Sequence, residues 1–400
     1  MTTDDAIIYI ITKMELGGAQ KVCLSLFNDL PKNSTITSYL ITGSHGPLVK
    51  DITGNSHVIF LEQLTREVKC STMLNELHVF FALIKHLRKL KKMHKRIIVH
   101  THSTKAGLLG RWAAFFAGIK LRIHTVHGFG FNDFQPKIIW AIIYGLELIT
   151  SFITTKFICV SQTDIDTGNR LFPSFVRKSC LIRAAVNFEQ FDQPLSMPNQ
   201  SGNPIFPAHS ELVEESNAKT PFIFGTIVCF KKQKNLFDLL QAFEHVAQKH
   251  PQARLEIIGD GLLRSKIETW ITQHQLTHAI KLHGWQEHVA PIAMNWHAFV
   301  LTSLWEGLPC AVVEARLLKL PVISYKTGGI PEIIFDQVNG LLYEQKNWPE
   351  LAHGMITLIE NQHLYAQLSA YPDNLLPFRN QNMINQHAHL YQELIKEGVS

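Results

Sequence analysis

The chain has 400 residues, of which 46% are hydrophobic and 18% are charged, and its formal net charge is +5. This composition supports large buried cores and excludes a globally disordered chain. The length suggests two or three domains at about 150 residues each. A charge of this size in so long a chain does not indicate nucleic-acid binding, and none is expected.

The six cysteines predict a reducing compartment. They are not paired at metal-ligand spacing, and several lie in apolar runs, as reduced and buried thiols do. Residues 1–20 lack the basic start and the small-residue cleavage site of a signal peptide. We therefore expect a cytoplasmic protein.

Short apolar runs alternate with helical stretches in the first half of the chain. The runs are nearly continuous, which is typical of parallel strands covered on both faces. The predicted strands are Ala6–Thr12, Ile36–Ile41, His57–Leu61, Arg96–His100, Arg122–Thr125 and Phe157–Val160. Helices are predicted between most of them, for example over Ala19–Leu30 and Thr104–Ala117. This rhythm indicates a doubly wound α/β sheet.

Two segments of this half raise the question of membrane contact. The basic cluster His86–Arg96 is expected to be the solvated face and end of a helix, with contact to anionic lipid as the alternative. The apolar segment Ile138–Ile153 is shorter than the roughly 20 residues that span a bilayer, and it contains Glu147. We expect it to be a buried helix, with insertion into a membrane interface as the alternative.

Residues 194–221 are rich in Pro, Ser and Asn and separate two series of elements. We expect a mobile linker or insertion that tolerates deletion, with a small helix at His209–Ser216. The second series has predicted strands at Phe222–Val228, Arg254–Ile258, Ile280–His283, Phe299–Leu301, Val322–Ser324 and Leu341–Tyr343. Its predicted helices are Leu236–Lys249, Leu263–Gln273 and Pro309–Leu318.

The predicted domains are therefore 1–193 and 222–375. A helical segment at 376–400 follows, and one option is that it packs back on the first domain. Ligands of such sheets bind at the carboxyl ends of the strands, so we expect the active site in a cleft between the two domains.

The segment after the fourth strand of the second series contains two glutamates. Glu306 and Glu314 flank seven residues, and Pro309 suits the first turn of a helix. Gly307 and Leu308 would lie at the helix N-terminus, where free N–H groups attract phosphate. Taken alone, the two glutamates are better explained by a helix cap and a surface salt bridge.

The surroundings of these glutamates change that interpretation. The pattern S-x-x-E-G-x-P-x-x-x-x-E-A stands here as Ser303, Glu306, Gly307, Pro309, Glu314 and Ala315. Gly328-Gly329-Ile330-Pro331-Glu332 and Asn339-Gly340 follow it. In these motifs, and over nearly its whole length, the chain resembles the retaining group 1 glycosyltransferases. The resemblance implies the GT-B fold, in which two Rossmann-like doubly wound domains face each other across a cleft. It also implies that domain 1–193 binds the acceptor and that domain 222–375 binds the nucleotide-sugar.

The resemblance also implies roles for residues that bind the donor. Glu306 would accept hydrogen bonds from the donor sugar, Glu314 would hold the ribose, and the backbone at Gly307 and Leu308 would receive the diphosphate. Lys234 matches a family lysine that neutralises the leaving diphosphate. The family arginine before it is replaced by Cys229.

Residues at three further positions in the sequence would contact the donor. Lys231 or Lys232 would supply the charge that Cys229 lacks. Gly17-Gly18 matches the family loop that faces the donor phosphates, although a simple turn explains two glycines equally well. Backbone at Gly284 would meet the nucleotide base, and the neighbouring Trp285 is either a wall of that pocket or a packed aromatic ring.

Two histidines mark the acceptor side. The run His127-Gly128-Phe129 resembles a family loop, so His127 would contact the reacting sugar or orient the acceptor. His102 ends a strand and would line the acceptor pocket. The alternative for each is a capping or core histidine.

No metal and no cofactor are expected. Asp164-Ile165-Asp166 has the spacing of a metal-binding D-x-D motif, but it is expected to open a helix, where acidic residues favour the dipole. The histidines have no zinc spacing. The nucleotide-sugar is a substrate.

The predicted activity is a metal-independent retaining glycosyltransferase that uses a UDP-sugar. Its acceptor would be a saccharide or a lipid-linked saccharide in bacterial capsule or lipopolysaccharide assembly, which allows peripheral contact with the inner face of the cytoplasmic membrane. The alternatives are a catalytically impaired regulatory subunit, which the Cys229 departure favours, and a nucleotide-sugar epimerase on the same fold.

Overall fold

A computed structural model describes residues 5–31, 36–65, 73–191 and 221–397. The predicted linker up to residue 220, with the helix expected at His209–Ser216, lies outside the described residues. Contacts divide the chain into a first domain, Met1–Ala185 with Pro377–Ser400, and a second domain, Val186–Leu376.

The first domain contains a seven-stranded parallel sheet of order β3-β2-β1-β4-β5-β6-β7. Its strands are β1 (Ala6–Ile10), β2 (Thr37–Thr42), β3 (Val58–Phe60), β4 (Ile97–His102), β5 (Leu121–Val126), β6 (Lys156–Cys159) and β7 (Ser179–Leu181). Every residue of β1 and β4 is buried, as expected of central parallel strands. β7 was not predicted, because its three residues are only half-buried and form no apolar run.

The helices of the first domain connect successive strands, and the last one is formed by the C-terminal residues. They are α1 (Gly18–Asp29), α2 (Met73–Met93), α3 (Thr104–Phe116), α4 (Lys137–Ile153), α5 (Gln162–Leu171), α6 (Phe175–Lys178) and α13 (Asn380–Glu397). α2 packs on α3, α3 packs on α4, and α13 packs on α1.

The second domain contains a six-stranded parallel sheet of order β10-β9-β8-β11-β12-β13. Its strands are β8 (Ile223–Ile227), β9 (Arg254–Ile258), β10 (Ile280–Gly284), β11 (Ala298–Leu301), β12 (Val322–Tyr325) and β13 (Gly340–Tyr343). Its helices are α7 (Leu236–Lys249), α8 (Arg264–Gln273), α9 (Ala290–Ala293), α10 (Cys310–Leu317), α11 (Trp348–Glu360) and α12 (Gln362–Ala370). The predicted α/β class with two Rossmann-like doubly wound domains is confirmed.

The prediction that Ile138–Ile153 is a buried helix is wrong. α4 covers this segment, but Ile138, Ile142 and Phe152 are each more than half exposed. The fully buried positions of α4 are Glu147, Thr150 and Ser151. Its polar side faces the protein because a buried cation on α3 requires a partner there. No helix in the described part of the chain is long and apolar enough to cross a membrane.

That cation is Arg111, which is completely buried. Its guanidinium donates to Glu147 Oε2 at 2.7 Å, to Thr154 Oγ1 at 3.0 Å and to the carbonyl oxygen of Gly107 at 2.8 Å. Removal of water from both charges is costly, so the pair is tolerated only because hydrogen bonds compensate it. The pair thereby sets which face of α4 turns inward.

We predict that Glu147→Ala destabilises the first domain by about 3–5 kcal/mol, because Arg111 would be left buried without a counter-charge. Urea unfolding measures the change. The control is Glu268→Ala, which breaks an ion pair with Arg264 in which both side chains are at least one-third exposed. This control is expected to cost about 0–1 kcal/mol. A loss no greater than that of the control would contradict the prediction.

Candidate functional site

The second sheet reverses its strand order between β8 and β11. The chain proceeds from β8 to β9 and β10 on one side and from β11 to β12 and β13 on the other. β8 and β11 are paired in parallel, with Phe224 opposite Ala298. The loops that follow these two strands therefore leave the same edge of the sheet side by side, which opens a crevice where ligands bind in this class of fold.

The two loops are joined by an ion pair between Lys234 and Glu306. Lys234 Nζ donates to Glu306 Oε1, and both side chains are largely buried. The side chain of the neighbouring Gln233 donates from Nε2 to the backbone carbonyl oxygen of Trp305 at 2.6 Å. The backbone carbonyl oxygen of Gln233 accepts from the N–H of Leu304 at 2.8 Å. Partial burial strengthens such an attraction because water screens it less.

Backbone packing around Glu306 restricts the position of this loop. A Cβ atom at Gly328, where φ is +53°, would lie 2.3 Å from the carbonyl oxygen of Glu306. The N–H of Gly329 donates to the carbonyl oxygen of Gly307 at 2.6 Å. The glycines of this motif therefore form a tight turn that packs directly against the Glu306 loop.

Helix α10 begins just beyond this loop, and Pro309 is its N-cap rather than a residue of its first turn. Gly307 and Leu308 are buried next to the helix start. Within the described ranges, no backbone carbonyl accepts a hydrogen bond from their N–H groups. Unpaired N–H groups and the helix dipole make such a position suitable for an anion.

Glu314 lies on α10 and is only 6% exposed. A surface salt bridge, the alternative explanation from sequence, is therefore wrong for this residue. A buried carboxylate needs hydrogen-bond donors around it.

A second buried arginine fixes α10. Arg316 donates to Asp373 Oδ2 at 2.7 and 2.9 Å and to the carbonyl oxygen of Leu320 at 2.8 Å. Asp373 also accepts from Asn339 Nδ2 at 2.6 Å. The sequence motif includes Asn339, but sequence reasoning missed Arg316, Asp373 and Gln233. An arginine two residues after the second glutamate of the motif was the one available signal.

Gly284 lies at the end of β10, at the outer edge of the sheet. Its carbonyl oxygen accepts from the N–H of Gly259 at 2.8 Å, and the adjacent Trp285 is 37% exposed. β9 separates this position from β8 and the ion pair. Gly284 thus belongs to the same sheet as β8 and β11, whose loops carry the Lys234–Glu306 pair, but it lies two strands from β8.

The replaced arginine position and its candidate substitutes lie in the loop after β8. Cys229 is partly buried, and its carbonyl oxygen accepts from the N–H of Lys231 at 2.8 Å. Lys231 is partly buried, and Lys232 is exposed in the short turn that contains Lys234. Of the three lysines of this turn, Lys234 is the one that reaches Glu306.

The first sheet reverses its strand order between β1 and β4. Thr12 Oγ1 lies 3.4 Å from Ser103 Oγ, which links the loops that follow these strands. Gly17 is the N-cap of α1 and Gly18 is its first residue. The two glycines therefore lie between β1 and α1, close to the point where the strand order of the first sheet reverses.

His102 and His127 form a direct pair in the first domain. His102 ends β4 and is fully buried, His127 follows β5 and is partly exposed, and His102 Nδ1 lies 3.0 Å from His127 Nε2. Beneath them, His100 Nδ1 lies 2.6 Å from the hydroxyl of Tyr391 and His100 Nε2 lies 2.7 Å from Thr125 Oγ1. Tyr391 belongs to α13, so the C-terminal helix supports this cluster.

Burial lowers the pKa of each of five histidines, and nearby histidines lower it further for four of them, His100, His102, His124 and His127. The pKa of His127 falls to about 3 and that of His387, on α13, to about 4. The pKa values of His100, His102 and His124 are also well below the usual range. The rings are therefore neutral near pH 7, and a neutral imidazole can accept a hydrogen bond from a hydroxyl.

The Asp164–Asp166 segment opens α5, as predicted. The hydroxyl of Ser161, the N-cap, accepts from the N–H of Asp164 at 3.1 Å and donates to Asp164 Oδ2 at 2.8 Å. In the portions of the chain that the structure describes, no group of three or more His, Cys, Asp or Glu side chains could hold a metal ion.

Comparison with known proteins finds similarities in both sequence and fold. Residues 210–374 match the family model described as glycosyl transferases group 1. The chain is 27% identical over 354 residues to an Escherichia coli protein named UDP-Gal:alpha-D-GlcNAc-diphosphoundecaprenol alpha-1,3-galactosyltransferase, covering 87% of this chain and 86% of that protein. It is 25% identical over 309 residues to the Staphylococcus aureus capsular polysaccharide biosynthesis glycosyltransferase CapM, covering 71% and 74%.

Solved structures share the fold. The chain resembles HepE of Anabaena, solved in complex with UDP-glucose, with a TM-score of 0.75, 18% identity and coverage of 97% of this chain and 100% of that one. It resembles sucrose-phosphate synthase of Thermosynechococcus elongatus with a TM-score of 0.77, 17% identity and coverage of 98% and 100%.

We predict that acid destabilises the first domain through the histidine cluster. The folded chain binds fewer protons than the unfolded chain at pH values below about 6.5, the ordinary histidine pKa. The stability from each neutral ring is therefore complete above that pH and is lost as the pH falls. His387→Gln should reduce the dependence of unfolding free energy on pH by up to about 1.4 kcal/mol per pH unit between pH 6 and 5.

The control for this measurement is His389→Gln, which replaces an exposed histidine of the same helix. Urea unfolding at a series of pH values gives the slope for each variant. Equal slopes for the two variants would contradict the prediction.

Proposed function

We propose that this chain, which carries a group 1 glycosyl transferase domain, transfers a hexosyl group from a UDP-sugar to a saccharide or a lipid-linked saccharide in bacterial surface-polysaccharide assembly. The observation that carries the proposal is the Lys234–Glu306 ion pair. It lies at the switch point between β8 and β11, next to the N-terminus of α10.

The residues around this pair match the parts of a nucleotide-sugar. Lys234 and the N–H groups of Gly307 and Leu308 suit a diphosphate, since a cation and N–H donors both stabilise negative charge. Carboxylates suit hydroxyl groups, and we assign Glu306 to the donor sugar and Glu314 to the ribose.

The ion pair also suggests how the donor would be engaged. A diphosphate would compete with Glu306 for Lys234, because it offers more negative charge. Glu306 Oε1 would then accept a hydrogen bond from the sugar. Lys234 and Glu306 would thus hold each other in place until the donor separates them, which limits the reorganisation that binding requires.

The proposed reaction retains the anomeric configuration. The bond between the sugar C1 and the diphosphate oxygen breaks, and a bond from the acceptor oxygen to C1 forms on the same face. The acceptor proton passes to the departing diphosphate oxygen. Lys234 stabilises the charge that develops on the diphosphate. The two glutamates are not an acid and nucleophile pair of the kind that retaining glycosidases use.

The first domain would contribute the acceptor side. His127, with its neutral ring hydrogen-bonded to His102, is suited to accept a hydrogen bond from a sugar hydroxyl. Gly17 and Gly18 would bring backbone N–H groups of α1 toward the donor phosphates. No metal takes part in this proposal, since Lys234 and the helix N-termini supply the positive charge.

Relatives support the choice of substrates. The Escherichia coli relative is named for a UDP-galactose donor, a diphosphoundecaprenol acceptor and an α-1,3 linkage. The Staphylococcus aureus relative is named for capsular polysaccharide biosynthesis. HepE of Anabaena, which has the same fold, was solved with UDP-glucose bound. A lipid-linked acceptor would place this chain at the inner face of the cytoplasmic membrane as a peripheral protein.

We predict that Lys234→Ala and Glu306→Gln each lower kcat for transfer about 10²–10³-fold. The first removes the cation that stabilises the leaving diphosphate, and the second weakens the hydrogen bond that Glu306 accepts from the donor sugar. The control is Lys266→Ala, which removes an exposed lysine of α8 in the same domain and should leave kcat within about twofold. Release of UDP with a panel of UDP-sugars and saccharide acceptors measures the rates. Wild-type rates in Glu306→Gln would contradict the site.

The same assay separates the enzyme from a regulatory subunit. Cys229 at the position of the family arginine favours the latter alternative. An active transferase releases UDP slowly from its donor even without acceptor, whereas an impaired subunit would bind the donor and release none. A thermal shift with each UDP-sugar would identify the donor in either case, since a bound ligand raises stability by mass action.

We further predict that a product formed from an α-linked UDP-hexose keeps the α configuration. Proton NMR of the product reports the anomer. A β-linked product would overturn retention.

We also predict that EDTA leaves the rate of transfer within about twofold, since the cations of the site belong to the chain. A rate abolished by EDTA and restored by Mg²⁺ or Mn²⁺ would overturn metal independence.

A further inference from the structure

We propose that the outer face of α2, α3 and α4 is a membrane-binding surface, in which the apolar stripe of α4 inserts into the interface of a bilayer that contains anionic lipid. The proposal deepens the proposed function and rests on it in one respect, because a lipid-linked acceptor lies in a membrane. The binding itself requires neither donor nor acceptor.

The apolar side chains of α4 point away from the protein. Side chains three and four residues apart share one face of a helix. The exposed large apolar residues of α4 follow this spacing, with exposures between 43% and 70%: Ile138, Ile139, Ile142, Leu146, Ile149 and Phe152. Gly145 lies on the same stripe, and a Cβ built there would meet nothing within 4 Å. An uncovered apolar stripe of this length indicates an interaction site.

Buried polar contacts hold α4 in this orientation. Glu147 is bound to Arg111, and Trp112 Nε1 donates to Thr150 Oγ1 at 2.9 Å. Rotation of α4 to bury its apolar stripe would strip Arg111 of its counter-charge inside the protein, which is strongly unfavourable. The stripe therefore stays outside in the folded domain.

The two neighbouring helices also expose apolar side chains. Phe115 and Phe116 at the end of α3 are 45% and 52% exposed, and Phe81 on α2 is 64% exposed. The ring of Phe80 contacts those of Phe81 and Phe116, with centroids 5.9 and 6.0 Å apart. Aromatic side chains are favoured at the boundary between lipid and water. All three helices, which pack side by side, thus expose apolar side chains.

Positive charge borders this area. A groove of about 380 Å³ on α2 is lined by Phe81, Ile84, Lys85, Arg88, Lys89 and Lys92. The described residues of α2, α3 and α4 include two acidic side chains, and both are neutralised: Glu76 by Lys105 and Glu147 by Arg111. Cationic side chains beside exposed apolar ones are the pattern of helices that lie in an anionic membrane interface.

The positive charge of this surface also favours a membrane over a second copy of the chain as its binding partner. An isologous dimer through this face would place the same lysines and Arg88 of two copies near each other, and like charges disfavour that contact. Anionic headgroups instead complement the charge, and the acyl region accepts the isoleucines. The observations therefore favour a lipid surface over self-association.

The test is co-sedimentation of the full chain with vesicles of phosphatidylglycerol and phosphatidylethanolamine, compared with phosphatidylcholine vesicles. One variant, Ile138→Asn with Ile142→Asn and Ile149→Asn, removes the stripe. A second, Lys85→Gln with Lys89→Gln and Lys92→Gln, removes the charge. We expect the first to bind at least about tenfold more weakly, since apolar contact with the bilayer is lost. We expect the second to lose about fivefold for each lysine on the anionic vesicles.

Matched controls come from exposed positions of the second domain. Leu262→Asn replaces an apolar side chain that is 90% exposed. Lys266→Gln with Lys281→Gln and Lys319→Gln removes the same net charge elsewhere. Both controls should bind vesicles as the wild type does. Unchanged thermal unfolding would show that the variants fold, as expected for exposed side chains.

Other outcomes overturn the proposal. Wild-type binding to anionic vesicles in both test variants would assign the contact elsewhere, and absence of binding in the wild type would reject a membrane surface. A wild-type dimer that the asparagine variant abolishes, without vesicle binding, would assign the stripe to self-association. UDP release with a water-soluble acceptor is measured in parallel. If the wild-type chain binds vesicles but releases no UDP, the proposed reaction would be rejected and the membrane-binding surface would be retained.

Discussion

The site depends on a constraint of the two parallel sheets, each of which reverses its strand order at a single pair of neighbouring strands. The reversal lies between β1 and β4 in the first domain and between β8 and β11 in the second. Loops that follow such a pair diverge to opposite sides, so backbone and side chains at the strand ends remain accessible. Lys234 and Glu306 follow β8 and β11, whereas Gly17 and His102 belong to the other reversal. Every group that we assign to phosphate or sugar lies on or close to one of these loops, whereas Gly284, which we expect to meet the base, lies two strands from β8.

Two buried arginines each form an ion pair that fixes the orientation of one helix. Arg316 binds Asp373 and thereby holds α10, the helix that carries Glu314. Arg111 binds Glu147 and thereby turns the apolar stripe of α4 outward. Each pair loses hydration on burial, so its net stabilisation is small, but removal of one partner is costly. Their consequence is orientation: one helix is kept in the donor site, and the other presents the surface that we assign to a membrane.

The histidine cluster links the acceptor side to the end of the chain. His127 contacts His102, and His100 contacts Tyr391 of α13. The last helix of the chain therefore packs under the strands whose loops carry the proposed acceptor residues. Because burial keeps these rings neutral, the same property that suits His127 for hydrogen bonding makes the first domain sensitive to acid.

Sequence alone determined the α/β class. A continuous run of apolar residues predicts a parallel strand buried on both faces, and a helical periodicity of apolar residues predicts a helix. The sequence also located the loops to which we assign the donor, since the motif from Ser303 to Glu332 is contiguous. Tertiary structure decided the partners: Lys234 and Glu306 are separated by 72 residues, and His100 and Tyr391 by 291. It likewise decided that α4 shows its apolar side to solvent. An apolar run specifies a helix, but which side is buried depends on a charge, Arg111, that another helix places beneath it.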